Sequence, residues 1–264
     1  MTDLDLDKYQ TILFDCDGVI WRNRLLINGA DRVIKRLREM GKRLYFISNN
    51  SGATRQQYVN KLQSFGIDAT INDIVCSAYA TAQYLKQINY QGCAYIIGQE
   101  SISLELKDAG INCIESFKIH PANIPTSEFE NLSIDHSITA VIVGFDYGFN
   151  YLKMAYAQRL LFKRPDVFLP GAGSCVASVS TAAQREPYNI GKPQPYMFNL
   201  IKRRDNLDRE SCLMIGDNLS TDILFGKNCG LKTLLVLTGV ATSEDVASCQ
   251  APPDYILKSV DELI

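Results

Sequence analysis

The run Thr11-Ile12-Leu13-Phe14-Asp15-Cys16-Asp17-Gly18 decides how the chain reads. Four residues of strand character stop at two carboxylates and a glycine, the composition of a buried strand leaving its sheet. In an open parallel sheet, the edge at the strand C-termini is where ligands bind. Asp15 and Asp17, two positions apart at such an edge, can both turn toward one site. One carboxylate there can act as a nucleophile and the other as a general acid and base. An EF-hand also contains Asp-x-Asp-Gly, but its glycine comes later and a bidentate Glu closes it, which this stretch lacks. An Asp-rich turn would read the same way.

The flanking sequence repeats the pattern. Val33, Ile34, Leu37 and Met40 recur at helical spacing with Gly41 as a stop, and residues 43–47 read as a second strand. Thr54 with Gln57 fits a capping box opening a helix that buries Tyr58, Leu62 and Phe65. A second set of units has strands at 94–97 and 140–143 and helices at 102–109 and 151–162, while the Pro-, Ser- and Asn-rich stretch 115–137 predicts loop. The first style then returns, with a helix after Gly191-Lys192-Pro193 and strands at 212–215 and 233–237. Strand and helix alternation predicts an α/β fold on a parallel sheet. Residues 1–88 and 187–264 are expected to form a discontinuous core, and residues 89–186 an inserted α/β domain.

Composition removes several classes of function. With 46% hydrophobic and 21% charged residues among 264 and a net charge of -2, the chain has no basic surplus for nucleic acid or an anionic membrane. No apolar run approaches the roughly 18–20 residues needed to span a bilayer, and the opening MTDLDLDKYQ lacks the apolar centre of a signal peptide. The eight cysteines show no CxxC, and with only two histidines they offer no zinc spacing. They read as reduced thiols, mostly in the core, so a cytoplasmic location is expected.

Three further pieces carry chemistry. Ser48-Asn49-Asn50-Ser51 follows the second strand and offers a hydroxyl, two amides and backbone N–H groups to phosphoryl oxygens; a polar strand-to-helix turn has the same look. Lys192 ahead of a helix can neutralise charge on a transferred phosphoryl group and on an attacking carboxylate. Gly216-Asp217-Asn218 follows the strand at 212–215, with Asp222 five residues beyond Asp217. Mg²⁺ takes one or two carboxylates plus water and substrate oxygens, which suits Asp217 as ligand and Asp222 in support; an Asx helix cap is the bland alternative. Hydrolysis of phosphate monoesters needs accelerations up to about 10²¹-fold. Positioning, a metal and preset charge must therefore combine, and this set offers all of them.

On these residues the chain resembles the haloacid dehalogenase (HAD) superfamily of aspartate-nucleophile phosphatases. Within it the similarity is to the 4-nitrophenylphosphatase group, which includes phosphoglycolate phosphatase and the pyridoxal phosphate phosphatase chronophin. The carrying segments are FDCDGVIW (14–21), FISNNSGATRQQY (46–58), GFDYGFNYLKM (144–154), LPGAGSCVAS (169–178), GKPQPYMF (191–198) and IGDNLSTDILFGKNCGLKTLLVLTGV (215–240). The resemblance implies a Rossmann-like, doubly wound core with an inserted α/β cap. It implies Mg²⁺-dependent hydrolysis of small phosphate monoesters through an aspartyl-phosphate on Asp15. Asp15 and Asp217 would bind the metal, with Asp17 reaching it through its backbone carbonyl and Asp222 supporting. Asp17 would be the general acid and base, Ser48, Asn49 and Asn50 would hold the phosphate or substrate, and Lys192 would stabilise the intermediate. A homodimer through the cap is also implied. One departure concerns the cap: residues 164–168 run directly into Leu169-Pro170-Gly171, a shortening near 168–169 on the order of 15–20 residues relative to the family pattern. This shortening motivates a weakly active binding variant as one alternative, and a phosphotransferase that passes the aspartyl-phosphate to an alcohol is another.

Of the remaining candidates, Gly171-Ala172-Gly173-Ser174 lacks the GK[ST] of a P-loop and reads as a structural turn. Trp21 could line the site entrance or pack beneath the cap, and His120 and His136 sit in polar surroundings and read as surface.

Overall fold

The computed structural model describes residues 4–119, 134–163, 168–170, 173–247, 249 and 251–263. In chain order, β1 (Thr11–Phe14) leads into a short hairpin of β2 (Trp21–Arg22) and β3 (Leu25–Leu26), then α1 (Ala30–Glu39), β4 (Arg43–Ser48), α2 (Arg55–Ser64) and β5 (Ile74–Cys76). Next come α3 (Ser77–Gln87), β6 (Cys93–Ile97), α4 (Glu100–Asp108), β7 (Asn112–Glu115) and α5 (Ser116–Ile119). These are followed by β8 (Ile138–Val143), α6 (Tyr151–Lys163), β9 (Phe168–Pro170) and α7 (Gly173–Ala183). The chain ends with α8 (Tyr196–Asp205), β10 (Cys212–Gly216), α9 (Leu224–Cys229), β11 (Lys232–Val236), α10 (Ser243–Ala247) and β12 (Tyr255–Leu257).

Packing divides the chain into two compact units. The first comprises Met1–Ser48, Gln56–Val75 and Gly191–Ile264, the second Asn49–Arg55 and Cys76–Ile190. The divisions fall at 48/49, 55/56, 75/76 and 190/191, whereas the sequence expectation was 88/89 and 186/187; α3 packs with the second unit.

The first unit is built on a six-stranded sheet of order β12-β11-β10-β1-β4-β5. β1 is buried at all four positions and pairs in parallel with β10 on one side and β4 on the other. That explains its unbroken apolar run, since a central parallel strand is covered on both faces. Phe14 is level with Ile215 on β10 and with Phe46 on β4. This register delivers Asp15, Asp217 and Ser48 to one sheet edge. α1 buries Val33, Ile34 and Leu37, and Gly41 follows it at φ +75, a conformation that favours glycine. Between β10 and α9, Leu219–Ile223 forms a π-helical turn capped by the Asn218 side chain, which accepts from the Ser220 and Thr221 N–H groups. That turn buries the Asp222 side chain.

The second unit has a four-stranded parallel sheet of order β7-β6-β8-β9. Tyr95, Ile97, Val141 and Val143 pack with Tyr156, Leu160 and Val179 in its core. Its β7 and α5 correct the expectation of loop from residue 115, because Glu115 is buried and accepts hydrogen bonds from Lys107 and Lys118 there. The rest of that stretch as far as 133, His120 included, lies outside the described residues, as do 171 and 172 of the Gly-Ala-Gly-Ser stretch; α7 begins at Gly173. His136 is exposed. All eight cysteines are free thiols, five of them buried. Among the described residues, no helix is long and apolar enough to cross a membrane.

Candidate active site

Asp15 extends β1 by one residue, its backbone N–H donating to the Ile215 carbonyl at 2.9 Å. Its side chain is 11% exposed. Lys192 reaches it from a distant part of the sequence: Nζ donates to Asp15 Oδ1 at 2.5 Å and to the Ile47 carbonyl at 3.2 Å. The same ammonium lies 2.7 Å from Asp222 Oδ1. Asp217 leaves the end of β10 and is held from behind, Oδ2 accepting the Val240 N–H at 2.7 Å and its carbonyl accepting the Ala241 N–H at 2.9 Å. Asp222 Oδ2 accepts the Asn218 N–H at 3.1 Å. One carboxylate oxygen each from Asp15, Asp217 and Asp222 lies within 4.8 Å of the others.

Glycines make this closeness possible. Gly18 adopts φ +90, and a Cβ there would stand 2.5 Å from Asp217 Oδ2. A Cβ at Gly239 would overlap the same oxygen outright. Thr238 Oγ1 donates to the Gly18 carbonyl at 2.6 Å, tying the Asp15–Gly18 turn to the loop after β11.

The charges do not balance. Three buried carboxylates face one buried ammonium. Burial pushes Asp15 up to about 8, with Asp222 and Asp217 adding repulsion and Lys192 opposing. Burial likewise pushes Asp217 up to about 6, reinforced by Asp222 and countered by the Val240 N–H. Burial works against the charge of Lys192, but Asp15 and Asp222 outweigh it and hold the ammonium above its ordinary range. Asp222 Oδ1 is buried, and apart from its 2.7 Å ion pair with Lys192 it has no partner among the described residues. A cluster short of positive charge, with only oxygen donors and an under-used buried oxygen, fits a hard divalent cation such as Mg²⁺. Asp15 and Asp217 could bind it directly, with Asp222 beside them.

The other sequence candidates fall around this cluster or apart from it. Asp17 is exposed, and its Oδ1 accepts the Trp21 indole N–H at 2.7 Å. Ser48 ends β4 with its Oγ accepting from Tyr58 OH at 2.9 Å. Asn49 and Asn50 belong to the stretch packed with the second unit, where the Asn49 carbonyl accepts from Ser77 Oγ at 2.7 Å and Asn50 Oδ1 from the Gly52 N–H at 2.8 Å. The sequence reading missed the loop Thr238-Gly239-Val240 that closes over Asp217. Its signal was available, a polar residue and a glycine directly after a strand, as at the other pieces.

Residues 12–112 match the family model of haloacid dehalogenase-like hydrolases, and residues 189–263 match a second, HAD-hydrolase-like model. Glycerol-3-phosphate phosphatase of Gallus gallus is 37% identical, with 98% of this chain and 92% of that protein aligned. The chain belongs to the haloacid dehalogenase-like hydrolases. Phosphoglycolate phosphatase 2 of Arabidopsis thaliana is 34% identical to this HAD-like hydrolase over 98% of the chain and 93% of its own length. The solved 4-nitrophenylphosphatase of Thermotoga maritima superposes with a TM-score of 0.84 at 27% identity, covering 98% of this chain and 97% of that one. The alignment with the avian phosphatase spans 290 positions, more than the 264 of this chain, so that relative carries residues absent here. The present HAD-like hydrolase is accordingly an enzyme of the phosphoric monoester hydrolase class.

Proposed function

We propose that this HAD-like phosphatase hydrolyses small phosphate monoesters by a Mg²⁺-dependent, two-step route through an aspartyl-phosphate on Asp15. The observation that carries the proposal is the buried cluster itself: Asp15 with Lys192 Nζ at 2.5 Å and with Asp217 and Asp222 within 4.8 Å. A carboxylate oxygen of Asp15 attacks phosphorus and the ester P–O bond breaks. Protonated Asp17 gives its proton to the departing alkoxide, which leaves as the alcohol. Asp17, now a carboxylate, takes a proton from water. The resulting hydroxide attacks the same phosphorus, the P–O bond to Asp15 breaks, and inorganic phosphate departs. Lys192 neutralises charge on Asp15 and on the phosphoryl group throughout. Asp15 and Asp217, with the Asp17 carbonyl and Asp222 in support, would hold the cation, which would supply charge compensation for the phosphoryl oxygens. Ser48, Asn49 and Asn50 hold the phosphoryl oxygens or the substrate. In the same reading the first unit does the chemistry and the second, with its shortened stretch near 168–169, selects the ester. Dimerisation through the second unit and residence in the cytoplasm belong to the same proposal, the free thiols fitting a reducing compartment.

The names of the relatives point to small anionic or aryl esters, with glycerol 3-phosphate, phosphoglycolate and 4-nitrophenyl phosphate as first substrates to try. A purely binding role has no observation in its favour, since the acid and lysine cluster is complete. Phosphate release from these esters with and without Mg²⁺ tests the reading. An Asp15→Asn protein should lose activity by several orders of magnitude, and wild-type turnover in that variant would end the mechanism. Counting phosphorylated alcohol against free phosphate separates hydrolysis from transfer to an acceptor.

A further inference from the structure

Asp17 is asked to deliver a proton to one atom at one moment, yet it is exposed. A free Asp at a surface turns through several rotamers, with a broad second torsion. Here one oxygen is tied. Trp21 Nε1 donates to Asp17 Oδ1 at 2.7 Å, and the indole that donates is 1% exposed. Three side chains fix that indole. The rings of Tyr58 and Phe65 lie 6.1 Å from it, and the Lys61 ammonium stands 3.8 Å over its face. The backbone closes the same turn: the Ile20 and Trp21 N–H groups both donate to the Cys16 carbonyl, and the Gly18 N–H donates to the Trp21 carbonyl at 2.7 Å. Donor and acceptor therefore belong to one rigid loop.

We propose that Trp21 is a positioning residue for proton transfer, clamping Asp17 Oδ1 so that Oδ2 is the atom that carries and delivers the proton. The inference rests on the reading of Asp17 as general acid and base. An N–H bond to Oδ1 leaves Oδ2 as the oxygen on which a carboxylic proton sits. Among the described residues, Oδ2 has no hydrogen-bond partner, so no protein group holds it. The Lys61 cation drains electron density from the indole face, which strengthens the N–H as a donor.

The clamp has a signature that general destabilisation lacks. An alkoxide cannot leave without a proton, whereas 4-nitrophenolate can. The ratio kcat/KM reports only the steps through release of the alcohol, so it isolates the protonation that the clamp serves. Trp21→Phe keeps a ring and removes the N–H. It should lower kcat/KM on glycerol 3-phosphate about tenfold and on 4-nitrophenyl phosphate by no more than about twofold. Lys61→Met, which keeps the stem and loses the ammonium, should show the same split more weakly. Asp17→Asn is the reference, with a loss of about 10²–10⁴-fold on the alkyl ester and a smaller one on the aryl ester. Equal losses on both esters in Trp21→Phe overturn the clamp. Absence of any split in Asp17→Asn overturns the reading of Asp17 instead.

A second measurement does not depend on activity. Trp21 is the only tryptophan of the chain, so metal-free protein gives a single indole N–H signal in a ¹H–¹⁵N spectrum. Asp17→Ala should move that signal upfield while leaving the backbone signals of the core in place. An indole signal that stays put overturns the proposal, whether or not the Trp21 variant folds.

Discussion

Lys192 Nζ lies 2.7 Å from Asp222 Oδ1, with both side chains 2% exposed. Because that ammonium also serves Asp15, it is the sole positive charge among the described residues placed against three buried acids. Lys192→Met should cost about 3–5 kcal/mol of stability without metal, as expected when one partner of a buried pair is removed. Adding Mg²⁺ should narrow the gap to wild type, because the more negative cluster gains more from a cation. Thermal unfolding in EDTA and in Mg²⁺ checks this, and an identical deficit in both would show that the acids do not share the ion.

Asp222 pairs with Lys192 and accepts the Asn218 N–H. Asp222→Asn should therefore leave turnover measurable while raising the half-saturating Mg²⁺ by about 10–100-fold, the usual cost of losing a group that supports metal ligands. A titration of initial rate against Mg²⁺ reads it directly. Chelating the metal should abolish activity in both proteins and return it on re-addition.

Gly239 is where Asp217 has no room to give. Gly239→Ala drives a methyl into the Asp217 carboxylate and should cost about 1–3 kcal/mol through overpacking, with loss of Mg²⁺-dependent activity. Gly41→Ala is the control. Gly41 sits at φ +75 with nothing within 4 Å of its would-be Cβ, so the variant should cost about 1 kcal/mol of backbone strain and keep full activity.

Glu115 sets an acid limit on the second unit. Burial alone would raise its pKa, but hydrogen bonds from Lys107 and Lys118 win and pull it from its ordinary 4.5 down to about 2. A depressed carboxylate contributes stability that is complete above pH 4.5 and is lost as pH falls toward about 2. The stability advantage of wild type over Glu115→Gln should shrink across that window, as measured by thermal unfolding at stepped pH. An advantage that does not change with pH would show the ion pairs to be ineffective.

Much of the core was legible because its strands are covered on both faces. β1, β4 and β10 show continuous apolar runs, each ending in the polar residues of the site, so strand identity and site position came from one signal. The short β2–β3 hairpin left no periodicity, and its Trp21 read equally well as entrance or packing. Its role depends on a hydrogen bond across a turn and on Lys61 from α2, neither of which composition reveals. The Pro- and Ser-rich stretch after 115 masked α5, whose single helical turn is stabilised by contacts rather than propensity. The loop carrying Gly239 was readable as a motif but not as part of the site, because only the fold brings it against Asp217.

The register that sets Phe14 beside Ile215 joins segments some two hundred positions apart in the sequence. A ribosome releases Asp15 first and Asp217 some two hundred codons later. Until β10 slots in next to β1, Asp15 lacks both Asp217 and Asp222. A polypeptide interrupted before Asp217 lacks two of the three clustered acids, and under the proposed mechanism it should release no phosphate.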